Sequence, residues 1–517
     1  MYKIKSIFII SFFLIIGLLI TFYPTLFSNF KNVQTELGDT RFNIYRLEHS
    51  YLWIKAAPLH KFLWDLPIFY PYKKTLAYSD TMLGAAFPYW LIRMLFLPDT
   101  AYQIWLIVIS ILNYSAMFLF LNKGLKYSTF PSSIGSFIFS FSIPRTIQLA
   151  HAQLLPGFFI IFSLFGLYKF FTGKSKYAFL NIFFFYAGIV LQLITTYYLA
   201  FFYILSLFLT LLLSLTHPRN IIIIFEKIKT QIFPLITLTL LSAFVILLMY
   251  QNYISLGKKN GLWNLEEIKS YIPTFMAWFY SGSNSLIYSK ISDVFHFRNP
   301  EELKLSVGYF TSAIIVYSAI INRRKPFYKL LIYTSILLIT ITTVIPFTTI
   351  SVWYVLADKI FFLRSVKPIG RVIFILLIPI SIFVAEFFQN IKYKSILVLL
   401  SLFIIIEQIQ ILESFDKLNN RNSIMGIVNR IPKNCDIFYY ISRNNEIDYK
   451  TQVDAMWAGI YAAKYTINGY STWYPPYYNE ILKSNAKDYK ELLLVKKGFN
   501  KWIQDNKLYD KNTCLVY

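Results

Sequence analysis

Residues 177–218 read YAFLNIFFFYAGIVLQLITTYYLAFFYILSLFLTLLLSLTHP, 42 positions without an Asp, Glu, Lys or Arg. An α-helix rises about 1.5 Å per residue, so about 20 apolar residues cross a hydrocarbon core of about 30 Å. The run is twice that length and must fold back on itself. Gln192, Thr195 and Thr196 are the polar residues at its middle, where a turn can sit. This stretch alone predicts a pair of membrane-crossing helices.

The same test between successive charges finds uncharged runs at 6–30, 101–122, 127–144, 146–168, 230–257, 305–322 and 330–357. Weaker runs at 372–390 and 395–412 each carry one acid, Glu386 and Glu407. Together these predict an all-α polytopic membrane protein of about eleven spans. The first run exceeds the apolar region of a signal peptide and ends Tyr23-Pro24-Thr25-Leu26-Phe27, with no small-x-small cleavage site, so it reads as an uncleaved span. An acid within a span is a candidate proton site. Glu386 and Glu407 lie near the ends of their runs, where an interfacial position explains them as well.

Composition agrees. Of 517 residues, 56% are hydrophobic, 19% aromatic and only 15% charged, against roughly 25% charged in soluble domains. A soluble domain, a disordered chain and a secreted disulfide scaffold are excluded. Fifty Lys and Arg against 26 Asp and Glu leave a net charge of +24. A single basic face would bind a phosphate backbone. Here the cations fall in small groups between apolar runs, so the expected partner is the lipid bilayer and not nucleic acid.

Those groups alternate. Lys3/Lys5, Lys123/Lys126, Lys169/Lys174/Lys176, Arg219/Lys227/Lys229, Arg323/Arg324/Lys325/Lys329 and Lys392/Lys394 occupy every second connection, with Glu226 the one acid among them. Cytoplasmic loops retain Lys and Arg, so the N-terminus is expected in the cytoplasm and, with an odd number of spans, the C-terminus outside. From Glu413 onward 26 of 105 residues are charged, against 50 of the preceding 412. The chain therefore reads as a transmembrane domain, 1–412, with outer loops at 24–100 and 251–304, and a small α/β extracytoplasmic domain, 413–517. Within the tail a helix is expected near 488–505, with Leu492, Leu493, Val495, Phe499 and Trp502 on one face, leading to a final strand.

Both cysteines, Cys435 and Cys514, lie in this tail beside short strand-like runs. Either they are unrelated buried thiols, or the strands are neighbours and the thiols form a disulfide, which requires an oxidising compartment.

The long connections all fall outside, so chemistry is expected at the outer face. In the first outer loop Asp39 precedes a stretch, from Phe42 to Trp53, compatible with an amphipathic helix lying in the interface. Asp39 is either the N-cap of that helix or a functional acid. Residues 81–92 form a second apolar piece too short to cross. Arg145, His151 and Gln153 follow the third span, as interface anchors or as sugar or phosphate contacts. Arg364, Lys367 and Arg371 run against the positive-inside trend and suit a phosphate at the membrane surface, whether a substrate's or an anionic headgroup's. Asn468-Gly469-Tyr470 with Pro475-Pro476 reads as a turn-rich loop. No HExxH, CxxC, paired zinc pattern, Gly-x-x-x-x-Gly-Lys-Ser/Thr or Gly-x-Ser-x-Gly is present.

The order of these features resembles the GT-C superfamily of polyprenyl-phosphate-sugar-dependent glycosyltransferases, near the uncharacterised bacterial YfhO-like multi-pass membrane proteins. Carrying the resemblance are Gly38-Asp39 with Asn43 and Glu48, Ile68-Phe69-Tyr70-Pro71, and Leu76-Ala77-Tyr78-Ser79-Asp80. The stretch Phe139 to Arg145 and on to His151-Ala152-Gln153-Leu154 also fits, with Arg364 to Arg371, Trp457-Ala458 and Asn468-Gly469-Tyr470-Ser471. The resemblance implies an inverting transferase in the bacterial inner membrane. Its donor is a polyprenyl-phosphate sugar and its acceptor a glycan, lipid or protein of the envelope. It implies Asp39 as general base, with Asp80 as a second acid, and Arg364, Lys367 and Arg371 as phosphate contacts. Arg145, His151, Gln153 and Glu48 become substrate contacts. No cofactor is required, although the first-loop acids could support a divalent metal. The chain departs from the Asp-Glu pair of protein mannosyltransferases, because Thr40 follows Asp39. A lipid-linked-sugar transporter and a non-catalytic envelope-assembly protein are the alternatives.

Overall fold

The structure, a computed structural model, describes residues 2–444 and 446–517, and the side chain of Lys3, one of the inner cations, lies outside the described set. Two compact units emerge. One takes the chain up to Tyr23 with Leu106–Leu248 and Leu262–Leu412; the other takes Pro24–Trp105, Met249–Gly261 and Glu413–Tyr517. Among the described residues, seven helices are long and apolar enough to cross a membrane, and Tyr309–Asn322 and Pro326–Thr342 are shorter apolar helices.

In the first unit, the 177–218 run folds into helices Ala178–Thr195 and Tyr197–Leu215, and Thr196 between them is extended (φ −155°, ψ 135°). The Ala178–Thr195 helix also packs back on Phe158–Thr172 through glycines. A Cβ added at Gly188 would lie 2.9 Å from the Ser163 nitrogen, and one at Gly166 2.9 Å from the Phe185 nitrogen. Apolar contact alone gives little drive between helices in lipid, so small residues that let backbones approach carry such packing. Ser163 Oγ closes the contact by donating to the Phe185 carbonyl at 2.8 Å.

The run at 146–168 is not one helix: the regular helix begins at Phe158, and residues 148–157 are irregular apart from a single turn, Ala152–Leu154. Leu155 keeps helical angles (φ −72°, ψ −43°), but Pro156 after it has no amide to donate. Buried partners take up the freed groups, Asn113 Nδ2 donating to the Leu155 carbonyl at 2.8 Å and the Gly157 amide to Asn113 Oδ1 at 3.0 Å.

The core of this unit is aromatic and aliphatic, with Phe13, Tyr114, Phe137, Phe141, Val384, Phe388 and Ile404 in one cluster. Two acids sit at its edges. Glu407 is buried and accepts from the Phe310 and Thr311 amides at 2.6 and 2.9 Å, from Thr311 Oγ1 at 2.6 Å and from Tyr288 Oη at 2.5 Å. It thereby closes the start of the Tyr309–Asn322 helix, whose positive end favours a carboxylate. Glu386 accepts from Tyr328 Oη at 2.5 Å and Lys325 Nζ at 3.2 Å.

In the second unit, strand Asn32–Gln34 pairs antiparallel with Ser414–Asp416. Strands Tyr465–Thr466, Ile437–Tyr440 and Thr513–Val516 form a parallel sheet in that order, with helix Asp448–Ala462 crossing between the first two in sequence. Cys435 and Cys514 form a disulfide with Cα atoms 6.0 Å apart. Asn468 extends the sheet, its Oδ1 accepting from the Tyr440 amide at 2.7 Å and its Nδ2 donating to the Tyr440 carbonyl at 2.9 Å. The last helix is Tyr489–Asp505, capped by Asp488, which accepts from the Glu491 amide at 2.7 Å. Leu492, Val495, Phe499 and Trp502 are buried, whereas Leu493 is 47% exposed, because it falls one position off the i, i+3, i+7 stripe.

Helix Asp39–Ile54 is not an interface-lying amphipathic element, since residues 40–50 are all buried. Its polar residues are paired instead of solvated. The short apolar piece at 81–92 overlaps helix Ala86–Arg93.

If the glycine contact holds the Phe158–Thr172 and Ala178–Thr195 helices together, Gly188→Ala lowers stability by about 1–3 kcal/mol, the usual cost of overpacking. Gly257, with nothing within 4 Å of its added Cβ, is the internal control. Thermal unfolding in detergent is expected to show a fall for G188A and no loss for G257A.

Candidate functional site

Asp39 is the first residue of its helix and not its cap. Glu36 takes the capping role, accepting from the Thr40 amide at 3.3 Å and from the Gly38 amide. Burial raises the Glu36 pKa, with Asp39 adding to the shift and the backbone hydrogen bonds opposing it. The Asp39 carboxylate accepts from Tyr470 Oη at 2.8 Å. Tyr470 packs edge-on against Phe42, and its phenol is pushed up first by burial and then by Asp39.

Two turns on, Arg46 is wholly buried. Its Nη1 donates to Ser79 Oγ at 2.9 Å and to the Asp80 carbonyl at 2.5 Å, its Nη2 to Asn43, and its guanidinium lies 4.6 Å from the Phe42 ring centre. Burial lowers its pKa, while Asp80 and then Asp39 oppose the shift. A single cation therefore offsets two acids that the sequence singled out separately. Arg46 was not among the sequence candidates, although Asp39, Asn43 and Arg46 recur at i, i+4 and i+7 and so share a helix face.

Glu48 is engaged elsewhere. Arg93 holds it through Nε and Nη2 at 2.7 and 2.9 Å, and Tyr89 Oη donates at 2.8 Å, joining the Asp39–Ile54 and Ala86–Arg93 helices.

In the first unit, Arg371 makes a two-pronged pair with Glu302, Nη2 at 2.7 Å and Nε at 3.3 Å, and lies 4.4 Å from the Tyr198 ring centre. His151 Nε2 is 3.9 Å from the same Glu302 carboxylate, and its Nδ1 donates to Gln148 Oε1 at 2.7 Å. Lys367 Nζ sits between two rings, 3.7 Å from the Trp263 centre and 4.9 Å from that of Tyr271, and burial lowers its pKa. Arg364 turns back on its own segment, donating to the Ala357 carbonyl at 3.1 Å with Asp358 at 3.7 Å. Arg145 is buried and donates to the Phe139 and Leu155 carbonyls at 2.5 and 2.9 Å. Gln153 is buried with Oε1 unpartnered. Glu302, which joins Arg371 to His151, had no motif to mark it. Among the described residues, no group of three or more His, Cys, Asp or Glu side chains converges as metal ligands would.

A second buried pair lies beside the Asp39 helix. His49 Nε2 is 2.9 Å from the Leu63 carbonyl, which can only accept, so His49 carries its proton there and its Nδ1 accepts from His60 Nδ1–H at 2.8 Å. Burial lowers His49 to about 4, and burial together with His49 lowers His60 to about 3. The unfolded chain, with histidines near pH 6.5, takes up protons that the folded chain refuses. The pair's contribution is therefore complete above about pH 6.5 and is lost as pH falls toward the folded values. Unfolding midpoints at about pH 7.5 and about pH 5 are expected to separate in the natural chain and to converge in the double variant H49F/H60F.

No family model matches this chain, and no curated protein matches it.

Proposed function

We propose that the protein is an inverting glycosyltransferase of the GT-C type, moving one sugar from a polyprenyl-phosphate donor to an envelope glycan, lipid or protein. The observation that carries this reading is the Asp39 carboxylate, fixed at the start of a buried helix by Tyr470 while Glu36 does the capping. An acid relieved of the structural task is placed for chemistry. In the proposed step an acceptor hydroxyl oxygen bonds to the anomeric carbon and its proton passes to Asp39. The bond from that carbon to the phosphate oxygen breaks, and the polyprenyl phosphate leaves with the electron pair. Asp80, offset by the same Arg46, orients the acceptor. Separately, within the first unit, Lys367 and Arg371 suit the phosphate of a lipid carrier.

The proposal includes about eleven spans in the bacterial inner membrane, a cytoplasmic N-terminus and the 413–517 region outside. The Cys435–Cys514 disulfide supports that side for the tail, because such bonds persist in oxidising compartments.

Asp39→Asn keeps the shape and removes the base. A loss of about 10²–10⁴-fold in transfer is expected, measured as incorporation of the sugar into envelope material with membrane insertion verified. Unchanged transfer removes Asp39 from the role. Alkylating cells without reductant should leave both cysteines unlabelled; labelled thiols would place the tail in a reducing compartment.

A further inference from the structure

Two of the basic connections meet in the first unit. Helix Tyr309–Asn322 runs into Arg323, Arg324 and Lys325, and helix Ile373–Gln389 leads through Lys392 into helix Lys394–Glu407. Glu386 ties the two connections together, accepting from Lys325 Nζ and from Asn390 Nδ2, each at 3.2 Å. It is the one acid in the stretches 322–329 and 386–394, which carry Arg323, Arg324, Lys325, Lys329, Lys392 and Lys394. Its charge is taken up by Lys325 and Tyr328. Arg323, Arg324, Lys392 and Lys394 are exposed, and none of the four has an ion-pair partner among the described residues. Uncompensated positive charge is therefore concentrated at this end of the three helices.

The same place holds an open groove of about 420 Å³. Phe387, Ile391, Ile396 and Leu400 form its apolar wall, with Tyr317 edge-on to Phe387 at 5.7 Å between ring centres. Asn390, Lys392 and Tyr393, in the turn between two helices, complete the lining. Ile396 and Leu400 are four apart and share a helix face, so the apolar wall continues along the Lys394–Glu407 helix away from that turn. The groove is thus hydrocarbon-like along its length and cationic at one end. A soluble anion has no use for the apolar wall. A zwitterionic lipid brings a cation of its own toward Lys392. A chain joined to a net negative headgroup satisfies both ends, and the exposed phenols of Tyr317 and Tyr393 suit the boundary between them.

We propose that this groove binds an anionic glycerophospholipid, with one acyl chain against Phe387, Ile391, Ile396 and Leu400 and the headgroup phosphate against Lys392. The lipid bridges the Ile373–Gln389 and Lys394–Glu407 helices and, through Tyr317, the Tyr309–Asn322 helix. Its binding therefore stabilises their packing. The site uses none of the residues given roles in transfer and stands whether or not the protein is a transferase.

The test uses the full chain in a non-ionic detergent, with phosphatidylglycerol, phosphatidylcholine of the same acyl chains and inorganic phosphate added separately at matched ionic strength. Binding is read as the concentration-dependent rise of the unfolding midpoint. Phosphatidylglycerol is expected to bind at least about fivefold more tightly than phosphatidylcholine, the effect of one cation near an anionic lipid surface. Inorganic phosphate is expected to leave the midpoint where it was. Lys392→Gln is expected to remove about fivefold of the lipid preference, whereas Lys174→Gln, in another basic connection, keeps it. Ile396→Trp fills the groove and is expected to weaken both lipids. Lys392 and Ile396 are exposed, so both variants fold. The proposal is overturned if the natural chain binds the two lipids equally, or if inorganic phosphate matches phosphatidylglycerol. It is equally overturned if Lys392→Gln keeps the full preference, if Lys174→Gln loses as much, or if Ile396→Trp binds both lipids as the natural chain does.

Discussion

A carboxylate or guanidinium taken out of water costs several kcal/mol unless a partner of opposite charge or several hydrogen bonds receive it, and each unit is arranged around that cost. Arg41 and Asp454, 1% and 3% exposed, meet at 2.5 Å and tie helix Asp39–Ile54 to helix Asp448–Ala462. Glu48 and Arg93 tie it to Ala86–Arg93. In the first unit Arg371 and Glu302 join segments far apart in sequence, and Glu407 gathers four donors. Removing one member of a buried pair leaves an uncompensated charge and costs about 3–5 kcal/mol. Such pairs specify one arrangement more than they add net stability, because a pair of apolar residues of the same volume would often do as well.

What hydropathy governs was legible. The turn at Thr196, the paired strands around Cys435 and Cys514, and the Tyr489–Asp505 helix all follow from local pattern: polar residues within an apolar run, alternation, a cap and a spaced apolar stripe. The irregular stretch before Phe158 was missed, because the run was read from its lack of charge, and Pro156-Gly157 with the polar Gln148, His151 and Gln153 was not weighed as a break. The setting of the Asp39–Ile54 helix was missed for the opposite reason. Its many polar residues read as a wetted face, but their partners, Asp454, Asp80, Arg93 and His60, lie between 11 and over 400 positions away. Spacing along a chain reports a helix face; it cannot report which distant charge that face will meet. Glu302 was hidden in the same way.

The three cations of the 364–371 segment look alike in sequence and differ in their surroundings. Arg371 already has a carboxylate against two of its nitrogens, so an anion there competes with Glu302 for a fixed bidentate geometry. Arg364 is turned to the Ala357 carbonyl and Asp358 of its own segment. Lys367 meets ring faces instead of a carboxylate at close range, and ring quadrupoles hold an ammonium less tightly than a desolvated ion pair does. Half-buried, its ammonium is also less well hydrated, which strengthens its field toward an arriving phosphate. In the proposed transferase, Lys367 is therefore the cation with most of its charge left to give. In that reading, Glu302 limits how much of Arg371 a phosphate can claim.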